Sequence, residues 1–111
     1  MEEDPTFGEK LVARHPHLKL PSYIECGDGW FDLLDTLCGI MPPGLIVGQI
    51  KQKFGGLRYY TDNATDFAPS MQSEIHGAIR LAETLSFRVC EVCGGPAKSK
   101  GGQTLCPEHT K

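Results

Sequence analysis

CEVC at residues 90–93, followed by CPEH at residues 106–109, is the stretch that decides how the C-terminal part of this chain folds. The two pairs have the spacing C-x2-C-x12-C-x2-H, in which each pair can bind one metal ion from a tight turn. A catalytic zinc would keep one position open for water, whereas three thiolates and one imidazole fill all four. The spacing therefore predicts a structural Zn²⁺ ion bound by Cys90, Cys93, Cys106 and His109.

The segment between the two pairs, residues 96–104, is polar and rich in glycine. We expect it to be a loop that is ordered by closure on the metal. Gly94 and Gly95 follow the first pair directly. Glycine at these positions lets backbone N–H groups turn toward the thiolates, as a zinc knuckle requires.

Two other uses of the cysteines stay open beside zinc. Disulfides would suit a short secreted chain, but the cysteines number five and we expect no leader segment at the start. A redox C-x-x-C would need its first cysteine at a helix N-terminus, whereas residues 87–90 have the pattern of a short extended run. Zinc is favoured over both, and Cys26 is assigned no role. His15 and His17 in the connector could serve as a metal pair, but exposed loop histidines are commoner, so we expect them to be exposed.

Length and composition limit the function classes. A chain of 111 residues with 40% hydrophobic and 23% charged residues is typical of one globular domain, and no apolar run is long enough to cross a bilayer. The formal net charge is −3, and three thiolates with Zn²⁺ would lower it to about −4. This balance argues against a general nucleic-acid binder, because such proteins carry a basic excess.

Three helices are predicted from apolar periodicity and end signals. The first is opened by Asp4-Pro5 and runs to about Arg14, before a connector over residues 15–21. The second covers residues 29–41, with Asp28 as its expected cap. The third covers residues 69–85. The expected buried positions are Phe7, Leu11 and Val12 in the first helix, Trp30, Leu33, Leu34, Leu37, Cys38 and Met41 in the second, and Met71, Ile75, Ala78, Ile79, Ala82 and Leu85 in the third.

Two extended runs, residues 45–54 and 57–61, flank Gly55-Gly56 and predict a β-hairpin, because primed turns need positive φ at both central residues. With a turn at Gly55-Gly56, Lys53 pairs with Arg58 and Phe54 with Leu57. Four side chains then share one face: Lys51, Lys53, Arg58 and Tyr60. Facing like charges are unfavourable, so this face is expected to meet solvent or an anion.

This cationic face has two interpretations. An antiparallel sheet often has one solvated face, and Lys and Arg protect an exposed edge strand from pairing with other chains. Alternatively, Lys51, Lys53, Arg58 and Tyr60 bind a phosphate-bearing ligand, an acidic partner or a nucleic-acid backbone.

Enzyme chemistry has little support in the sequence. The nucleophile-elbow, zincin and Walker motifs are missing from it. Carboxylates do cluster around the second helix, and they are expected to be solvated or to cap it. An unrecognised hydrolase would have to use them: Glu25, Asp28, Asp32 and Asp35.

The fold prediction is a single α+β domain over residues 1–111, with helices packed on a short antiparallel β-hairpin. Residues 1–21 form the N-terminal helix and connector, residues 22–88 the α+β core and residues 89–111 the zinc-binding knuckle. No internal repeat or long linker divides the chain.

Three sequence blocks, GWFDLLD at 29–35, KFGGLRYY at 53–60 and CEVCG at 90–94 with TLCPEH at 104–109, resemble small proteins commonly encoded by bacteriophages and prophages. The knuckle also resembles zinc ribbons and treble clefs. Because only two residues follow His109, a ribbon-like or truncated form is expected. The resemblance implies a phage protein in the cytoplasm of a bacterial host, and it implies no particular activity.

The expected function is non-catalytic binding by a zinc-stabilised scaffold. The resemblance to phage accessory proteins suggests modulation or inhibition of a host component, including anti-phage defence, through a host protein or a nucleotide-like anionic ligand. One alternative is a nucleic-acid-binding regulator that uses Lys98 and Lys100, and another is the hydrolase above. Self-association is possible, and no membrane partner is expected.

Overall fold

The computed structural model describes residues 6–110. Three helices and two antiparallel β-hairpins make up this part of the chain, which confirms the predicted α+β class. None of these helices is both long enough and apolar enough to cross a membrane. The elements are α1 (Phe7–Arg14), α2 (Phe31–Ile40), β1 (Val47–Lys53), β2 (Gly56–Thr61), α3 (Pro69–Ser86), β3 (Lys98–Lys100) and β4 (Gln103–Leu105), with short 3-10 turns at Asp28–Trp30, Ala64–Asp66 and Pro107–His109.

Helix α1 begins with a capping box. The Thr6 hydroxyl accepts a hydrogen bond from the Glu9 N–H at 3.1 Å, and the Glu9 carboxylate accepts one from the Thr6 N–H at 3.1 Å. The predicted start at Asp4-Pro5 lies outside the described residues. Leu11 is buried as expected, but Val12 is 45% exposed, so only part of the predicted apolar side faces the core.

Helix α2 is preceded by the 3-10 turn, and Asp28 does not cap it. The prediction that Asp28 caps this helix is wrong, because the C-terminal part of the chain supplies a hydrogen-bond acceptor for the backbone there. The Gly29 N–H donates to the Glu91 carbonyl at 2.8 Å. The predicted apolar stripe is otherwise confirmed. Leu33 is partly buried, and the other members are buried, namely Trp30, Leu34, Leu37, Cys38 and Met41.

Helix α3 packs against the first hairpin along the outer edge of β2. The Leu57 N–H donates to the Ser86 hydroxyl at 2.9 Å, and the Tyr59 N–H donates to the Glu83 carboxylate at 3.0 Å. Ile75, Ile79 and Ala82 are buried as predicted. Leu85 is 39% exposed, which corrects its assignment to the core.

The first hairpin turns one residue earlier than predicted. Lys53 pairs with Gly56 and Lys51 with Arg58, so the turn is Phe54-Gly55, with φ values of 55° and 87°. Gly56 is needed elsewhere, because a Cβ atom there would lie 2.3 Å from the Phe87 ring. Phe54 therefore takes the positive φ and stays 72% exposed.

Both edges of this hairpin are covered. The Glu25 N–H donates to the Ile50 carbonyl at 3.0 Å, and the Gln52 N–H donates to the Glu25 carbonyl at 3.0 Å, so residue 25 pairs with the outer edge of β1. Helix α3 covers the outer edge of β2. Protection of an exposed edge strand therefore does not explain Lys and Arg on this hairpin.

The segment predicted as a loop between the two ligand pairs is a second hairpin. Strands β3 and β4 pair through three residues each and turn at Gly101-Gly102, with φ values of 62° and 80°. These two glycines supply the positive φ that a primed turn requires. The polar composition of the segment concealed a strand pair, because its exposed side chains leave no apolar alternation to detect.

Candidate metal centre and cationic hairpin face

Four side chains converge where the sequence predicts a metal site. One ligand atom each from Cys90, Cys93, Cys106 and His109 lies within 4.8 Å of the others. The Cys93 and Cys106 sulfurs are 3.7 Å apart. A tetrahedral ion with Zn–S bonds of about 2.3 Å places two sulfurs about 3.8 Å apart, so the spacing fits zinc. Among residues 6–110 this is the one group of three or more His, Cys, Asp and Glu placed to hold an ion.

The imidazole presents Nδ1 to the cluster. Nδ1 of His109 lies 3.0 Å from the Cys106 sulfur and 3.7 Å from the Cys90 sulfur. The 3-10 turn at Pro107–His109 brings the ring back, with the His109 N–H bonded to the Cys106 carbonyl at 3.0 Å. A C-x2-H spacing is thus sufficient to place both donors on one ion.

The first ligand pair is held by its own backbone. The Gly94 N–H donates to the Cys90 carbonyl at 2.8 Å, and the Gly95 N–H donates to the Cys93 sulfur at 3.4 Å. Gly94 has φ 81°, a backbone conformation that residues with a side chain rarely adopt. The Gly95 N–H aims partial positive charge at the Cys93 sulfur as predicted, whereas the Gly94 N–H is used by the Cys90 carbonyl.

Hydrogen bonding favours the thiolate form of Cys90, a buried member of the ligand set. Burial alone would raise the pKa of the Cys90 thiol, but hydrogen bonds from the backbone of Cys106, Cys93 and Val92 outweigh it and lower that pKa to about 6. The hydrogen bond to the Cys106 sulfur raises the pKa of His109. The Gly95 N–H favours the Cys93 thiolate, but burial and the neighbouring Cys106 and Cys90 sulfurs outweigh it and raise the pKa of Cys93. Binding of a metal ion therefore competes with protons at Cys93 and His109 more than at Cys90.

The five cysteines are free in the described residues. The 3.7 Å between the Cys93 and Cys106 sulfurs is far longer than a disulfide bond of about 2.05 Å. Burial raises the pKa of the Cys26 thiol to about 12 and that of Cys38 to about 11. Cys38 is buried against the Tyr59 hydroxyl, 3.2 Å away, which matches its predicted place in the core.

The knuckle is joined to the core through a segment that the sequence analysis did not assign to the site. A Cβ atom on Gly29 would lie 2.2 Å from the Cys90 carbonyl oxygen, and one on Gly27 would lie 2.3 Å from the Glu91 carbonyl oxygen. The Trp30 indole N–H donates to the Val89 carbonyl at 2.8 Å. The sequence feature that could have predicted this close approach is the pair Gly27 and Gly29 directly before Trp30.

The second hairpin also contacts the first. The Thr104 hydroxyl, which is fully buried, donates to the Gly55 carbonyl at 2.6 Å. The Glu91 N–H donates to the Thr104 carbonyl at 3.1 Å. The metal site is therefore anchored both to the start of α2 and to the turn of the β1–β2 hairpin.

The predicted cationic residues lie on one face of the first hairpin despite the change of turn. Shifting the turn by one residue moves each partner by two positions, which keeps every side chain on its face. Lys51 stands opposite Arg58. Lys53 is exposed and Tyr60 is 42% exposed, with the Lys51 ammonium 5.9 Å from the Tyr60 ring centre. We call Lys51, Lys53, Arg58 and Tyr60 the cationic face.

Arg58 has an unusual environment on this face. Its Nε atom is buried and has no hydrogen-bond partner, alone among the buried side-chain nitrogen and oxygen atoms of residues 6–110. The ion pairs of the described chain all involve Asp35, so no carboxylate of residues 6–110 lies within 4.0 Å of the charged groups of Arg58, Lys51 or Lys53. Within these residues the cationic face therefore has no ion-pair partner.

The four carboxylates of the hydrolase alternative are divided among different surroundings: Asp28 and Asp32 line one pocket of about 480 Å³, and Asp35 and Glu25 have partners elsewhere. Asp35 is bound by Arg14, with Nε–Oδ1 at 2.8 Å and Nη2–Oδ2 at 3.0 Å, and by His15 Nε2 at 2.7 Å. The Arg14 hydrogen bond lowers the pKa of Asp35. Glu25 instead accepts from Gln49, at 3.3 Å. His17 Nε2 lies 3.2 Å from the Cys38 carbonyl, so both loop histidines have partners within the chain. The expectation that both are exposed is wrong for His15, which is buried, because its ring hydrogen-bonds to Asp35 on α2.

Lys98 and Lys100 lie on β3 and border an apolar groove of about 520 Å³. Both side chains are exposed, as are all three residues of the strand. The groove is completed by Pro96, Ala97, Leu105, Pro107 and Thr110.

Comparison with protein-family models, with curated proteins and with solved structures finds no match to this chain. Its function is therefore inferred from its own residues and their geometry.

Proposed function

We propose that this protein is a non-catalytic binding module in which structural Zn²⁺ holds the C-terminal knuckle and the cationic face recognises an anionic group. The observation that carries this proposal is the buried, unpartnered Nε of Arg58, set beside two lysines that lack carboxylate partners. The anion we have in mind is a phosphate group of a nucleotide-like ligand or an acidic side chain of a protein partner.

A buried N–H without an acceptor is costly, by about 1–3 kcal/mol. An incoming phosphate or carboxylate oxygen would gain charge-assisted hydrogen bonds to the guanidinium, and a rotation of the Arg58 side chain on binding would bring Nε, which is buried in the free protein, to the same oxygen atoms and remove that cost. Lys51 opposite Arg58 and Lys53 near the turn would add positive charge around the same oxygen atoms. Tyr60, 42% exposed on the same face, offers a ring and a hydroxyl for the rest of the ligand.

The metal centre supports a structural role. Three cysteines and one histidine complete a tetrahedral zinc site and leave no position for water or substrate. Zinc bound there would fix the knuckle against the start of α2 and the turn of the first hairpin. We therefore assign the metal to architecture and propose no catalytic residue.

The resemblance to phage-encoded proteins directs the search for a partner. We propose a component of a bacterial host cell, with proteins and nucleotide signals of anti-phage defence as the first candidates. Inhibition by binding would need no chemistry from the chain, which agrees with the lack of a catalytic motif in the sequence.

The test is calorimetry with zinc-loaded protein and a set of anions: inorganic phosphate, pyrophosphate, mononucleotides and cyclic dinucleotides. We expect at least one to bind, and Arg58→Met to weaken its binding at least tenfold. Arg88→Met is the matched control, because Arg88 is exposed and lies outside the cationic face. If the anions and an acidic peptide fail to bind, or if both variants lose binding equally, the proposal is wrong.

A second candidate is nucleic-acid binding by the β3–β4 hairpin. The observation in its favour is the groove bordered by Lys98 and Lys100, since two cations beside an apolar surface can hold a phosphate and a base. The net charge of −3 opposes it. Binding to a single-stranded oligonucleotide should then fall steeply with salt and with Lys98→Gln and Lys100→Gln, and should be unaffected by Arg58→Met.

A further inference from the structure

The cationic face adjoins an aromatic side chain from a different element. Phe87, the residue that follows α3, places its ring where a Cβ atom of Gly56 would lie. Gly56 pairs with Lys53 across the hairpin, and residues paired in this way point to the same side of the sheet. The Phe87 ring, which is 37% exposed, therefore lies on the same side as the cationic face.

Aromatic and cationic side chains alternate along β2 on this side. Gly56, Arg58 and Tyr60 are two residues apart, so their side-chain positions share one face at steps of about 7 Å. Tyr60 supplies one ring and is 42% exposed, and Phe87 supplies the other ring over Gly56. Arg58 thus lies between two aromatic rings that solvent can reach.

The cations of β1 lie beside this row. Lys51 pairs with Arg58, and Lys53 pairs with Gly56, under the Phe87 ring. The Lys51 ammonium is also 5.9 Å from the centre of the Tyr60 ring. Each ring therefore has a lysine of the neighbouring strand close to it.

Glu25 places one carboxylate at the edge of the same side. It bridges Lys51 in parallel register, and its carboxylate accepts from the Gln49 amide at 3.3 Å. The ion pairs of residues 6–110 do not include Glu25, so this carboxylate leaves the lysine ammonium without a direct partner. Three cations and one carboxylate still give this side of the sheet a positive balance.

A row of rings and cations matches the chemistry of single-stranded nucleic acid. Bases stack on aromatic side chains with little regard to sequence, and Lys and Arg hold the phosphates between them. Inorganic phosphate or an acidic peptide would use the cations and leave both rings without a flat partner. The formal charge of −3 opposes the attraction of long nucleic acids, which favours a ligand with few phosphates.

We propose that the cationic face and Phe87 together bind a short single-stranded oligonucleotide. Its phosphates contact the arginine and the lysines of the face, and two of its bases stack on Tyr60 and Phe87. This inference rests on the proposed anion binding and names the class of ligand for the same site.

The spacing of the two rings determines the length of strand. Tyr60 and Gly56 lie about 14 Å apart along β2, at about 3.4 Å per residue. Neighbouring bases in a stacked strand are separated by only about 3.4 Å. The strand is therefore bound extended, with one nucleotide between the two whose bases stack on the protein, so a trinucleotide fills the site.

The test is calorimetry of the zinc-loaded full chain with thymidine oligonucleotides of one to four nucleotides and with pyrophosphate. We expect the trinucleotide to bind at least about fivefold more tightly than the mononucleotide, because it adds a second stacked base. The tetranucleotide should bind within about threefold of the trinucleotide, because its last base finds no further ring. A uridine trinucleotide in a parallel titration distinguishes a ribose strand from a deoxyribose strand.

Variants that remove a ring are compared with variants that keep it. Tyr60→Leu and Phe87→Leu should each weaken trinucleotide binding at least about fivefold, whereas Tyr60→Phe and Phe87→Tyr should stay within about twofold of the original. Pyrophosphate has no base, so its binding should be unchanged in all four. Circular dichroism checks the fold, and the exposed Tyr60 pair keeps the test decisive if Phe87→Leu unfolds.

Charge variants identify the surface. Arg58→Met should weaken trinucleotide binding at least tenfold. Glu25→Gln should strengthen it, because it removes a carboxylate that repels phosphate. Lys98→Gln should leave it unchanged, whereas binding by the β3–β4 hairpin would require a loss.

Failure of this inference can be told apart from failure of the proposed anion binding. If pyrophosphate binds and responds to Arg58→Met, but the trinucleotide binds no more tightly than pyrophosphate, the oligonucleotide is wrong and the anion site remains. Equal trinucleotide binding by Tyr60→Leu and Tyr60→Phe, or tighter binding of an acidic peptide than of either trinucleotide, would also overturn the inference. If neither pyrophosphate nor any oligonucleotide nor the peptide binds, both proposals are wrong.

Discussion

Arg58 shows a conflict between stability and binding within one side chain. Its Nε is buried without a partner, and Lys51 stands directly opposite it on β1. Both features oppose folding, because an unmet N–H and facing like charges each cost free energy. Residues that lower stability without a packing benefit are often retained for a site.

We predict that Arg58→Met raises the free energy of unfolding by about 1 kcal/mol, because methionine keeps the apolar stem and removes the unmet N–H. Urea denaturation of zinc-loaded protein measures the change. Arg88→Met, at an exposed position, should stay within about 0.5 kcal/mol of the original. A loss of stability in Arg58→Met would mean that the guanidinium makes favourable contacts, and the conflict described above would not exist.

Gly29 illustrates the opposite case, a residue whose lack of a side chain is required. The Cys90 carbonyl oxygen and the Glu91 backbone occupy the space that a Cβ would fill, at 2.2 Å and 2.6 Å. Because the obstacles are backbone atoms next to a metal ligand, they cannot move without displacing Cys90. One methyl group should therefore affect both packing and metal binding.

We predict that Gly29→Ala lowers the free energy of unfolding by at least about 2 kcal/mol and weakens zinc binding. Gly8→Ala in α1 is the control, because its Cβ would meet only Ile24 at 3.6 Å or more, an ordinary contact. That control should be neutral or slightly stabilising. Denaturation and competition with a zinc chelator report the two effects. Equal stability of both variants would show that the Gly29 contact is not tight in solution.

The residues that the sequence predicted correctly are those fixed by local spacing. The convergence of the four Cys and His side chains and the apolar stripe of α2 need only positions along the chain: the four side chains lie close enough together to hold a metal ion, and the stripe is buried apart from the partly buried Leu33. The predicted position of the hairpin turn was wrong because Phe87, thirty-one residues after Gly56, packs where a Cβ of Gly56 would lie, so Gly56 is in the strand and not in the turn. The prediction that Asp28 caps α2 was wrong for a similar reason, since the Glu91 carbonyl from the knuckle accepts the hydrogen bond of the Gly29 N–H.

At the level of elements, the knuckle is a hairpin held between two ligand turns. Strands β3 and β4 are three residues long and expose most of their side chains, so neither could persist alone. The buried Thr104 contact with Gly55 stabilises them, and a metal ion bound by the two ligand turns would add to that stability. Protons that compete with the metal should therefore act directly on this element.

We predict that zinc stays bound at pH 7 and is released as the pH falls through about 6 toward 4. The pKa of Cys90 is lowered from 9.0 to about 6, so the stability due to its thiolate is complete above pH 9 and is lost as the pH falls through 6. The raised pKa of His109 acts in the same direction, because its proton competes with the metal sooner. A colorimetric zinc indicator measures release against pH.

Matched cysteine variants separate the ligands from the other thiols in that titration. Cys26→Ser removes a thiol outside the cluster and should leave the release curve unchanged. Cys106→Ser removes a ligand and should release zinc already near neutral pH. Retention of zinc at pH 4, or equal curves for both variants, would show that these residues do not hold the metal.

At the level of the whole molecule, the metal centre is joined to the core through a few long-range contacts. The Trp30 indole reaches the Val89 carbonyl directly before Cys90, Glu91 accepts from Gly27 and Gly29, and Thr104 reaches the first hairpin. None of them joins neighbours in sequence, which is why the sequence predicted a metal-closed loop and missed its attachment. Metal binding should consequently change the surroundings of core residues such as Trp30.

Trp30 is the only tryptophan in the chain and is fully buried, so its fluorescence reports this attachment without interference. We predict that removing zinc with EDTA shifts its emission to longer wavelength and lowers the melting temperature, because the Val89 carbonyl loses its fixed position and water reaches the indole. Far-UV circular dichroism should change little, since α1, α2 and α3 bury their own apolar core. Cys106→Ser should show the shifted emission from the start and no response to EDTA, while Cys26→Ser should respond like the original protein. Unchanged emission after complete zinc removal would mean that the knuckle stays docked without its metal, and that the contacts of Gly29, Trp30 and Thr104 suffice to hold it.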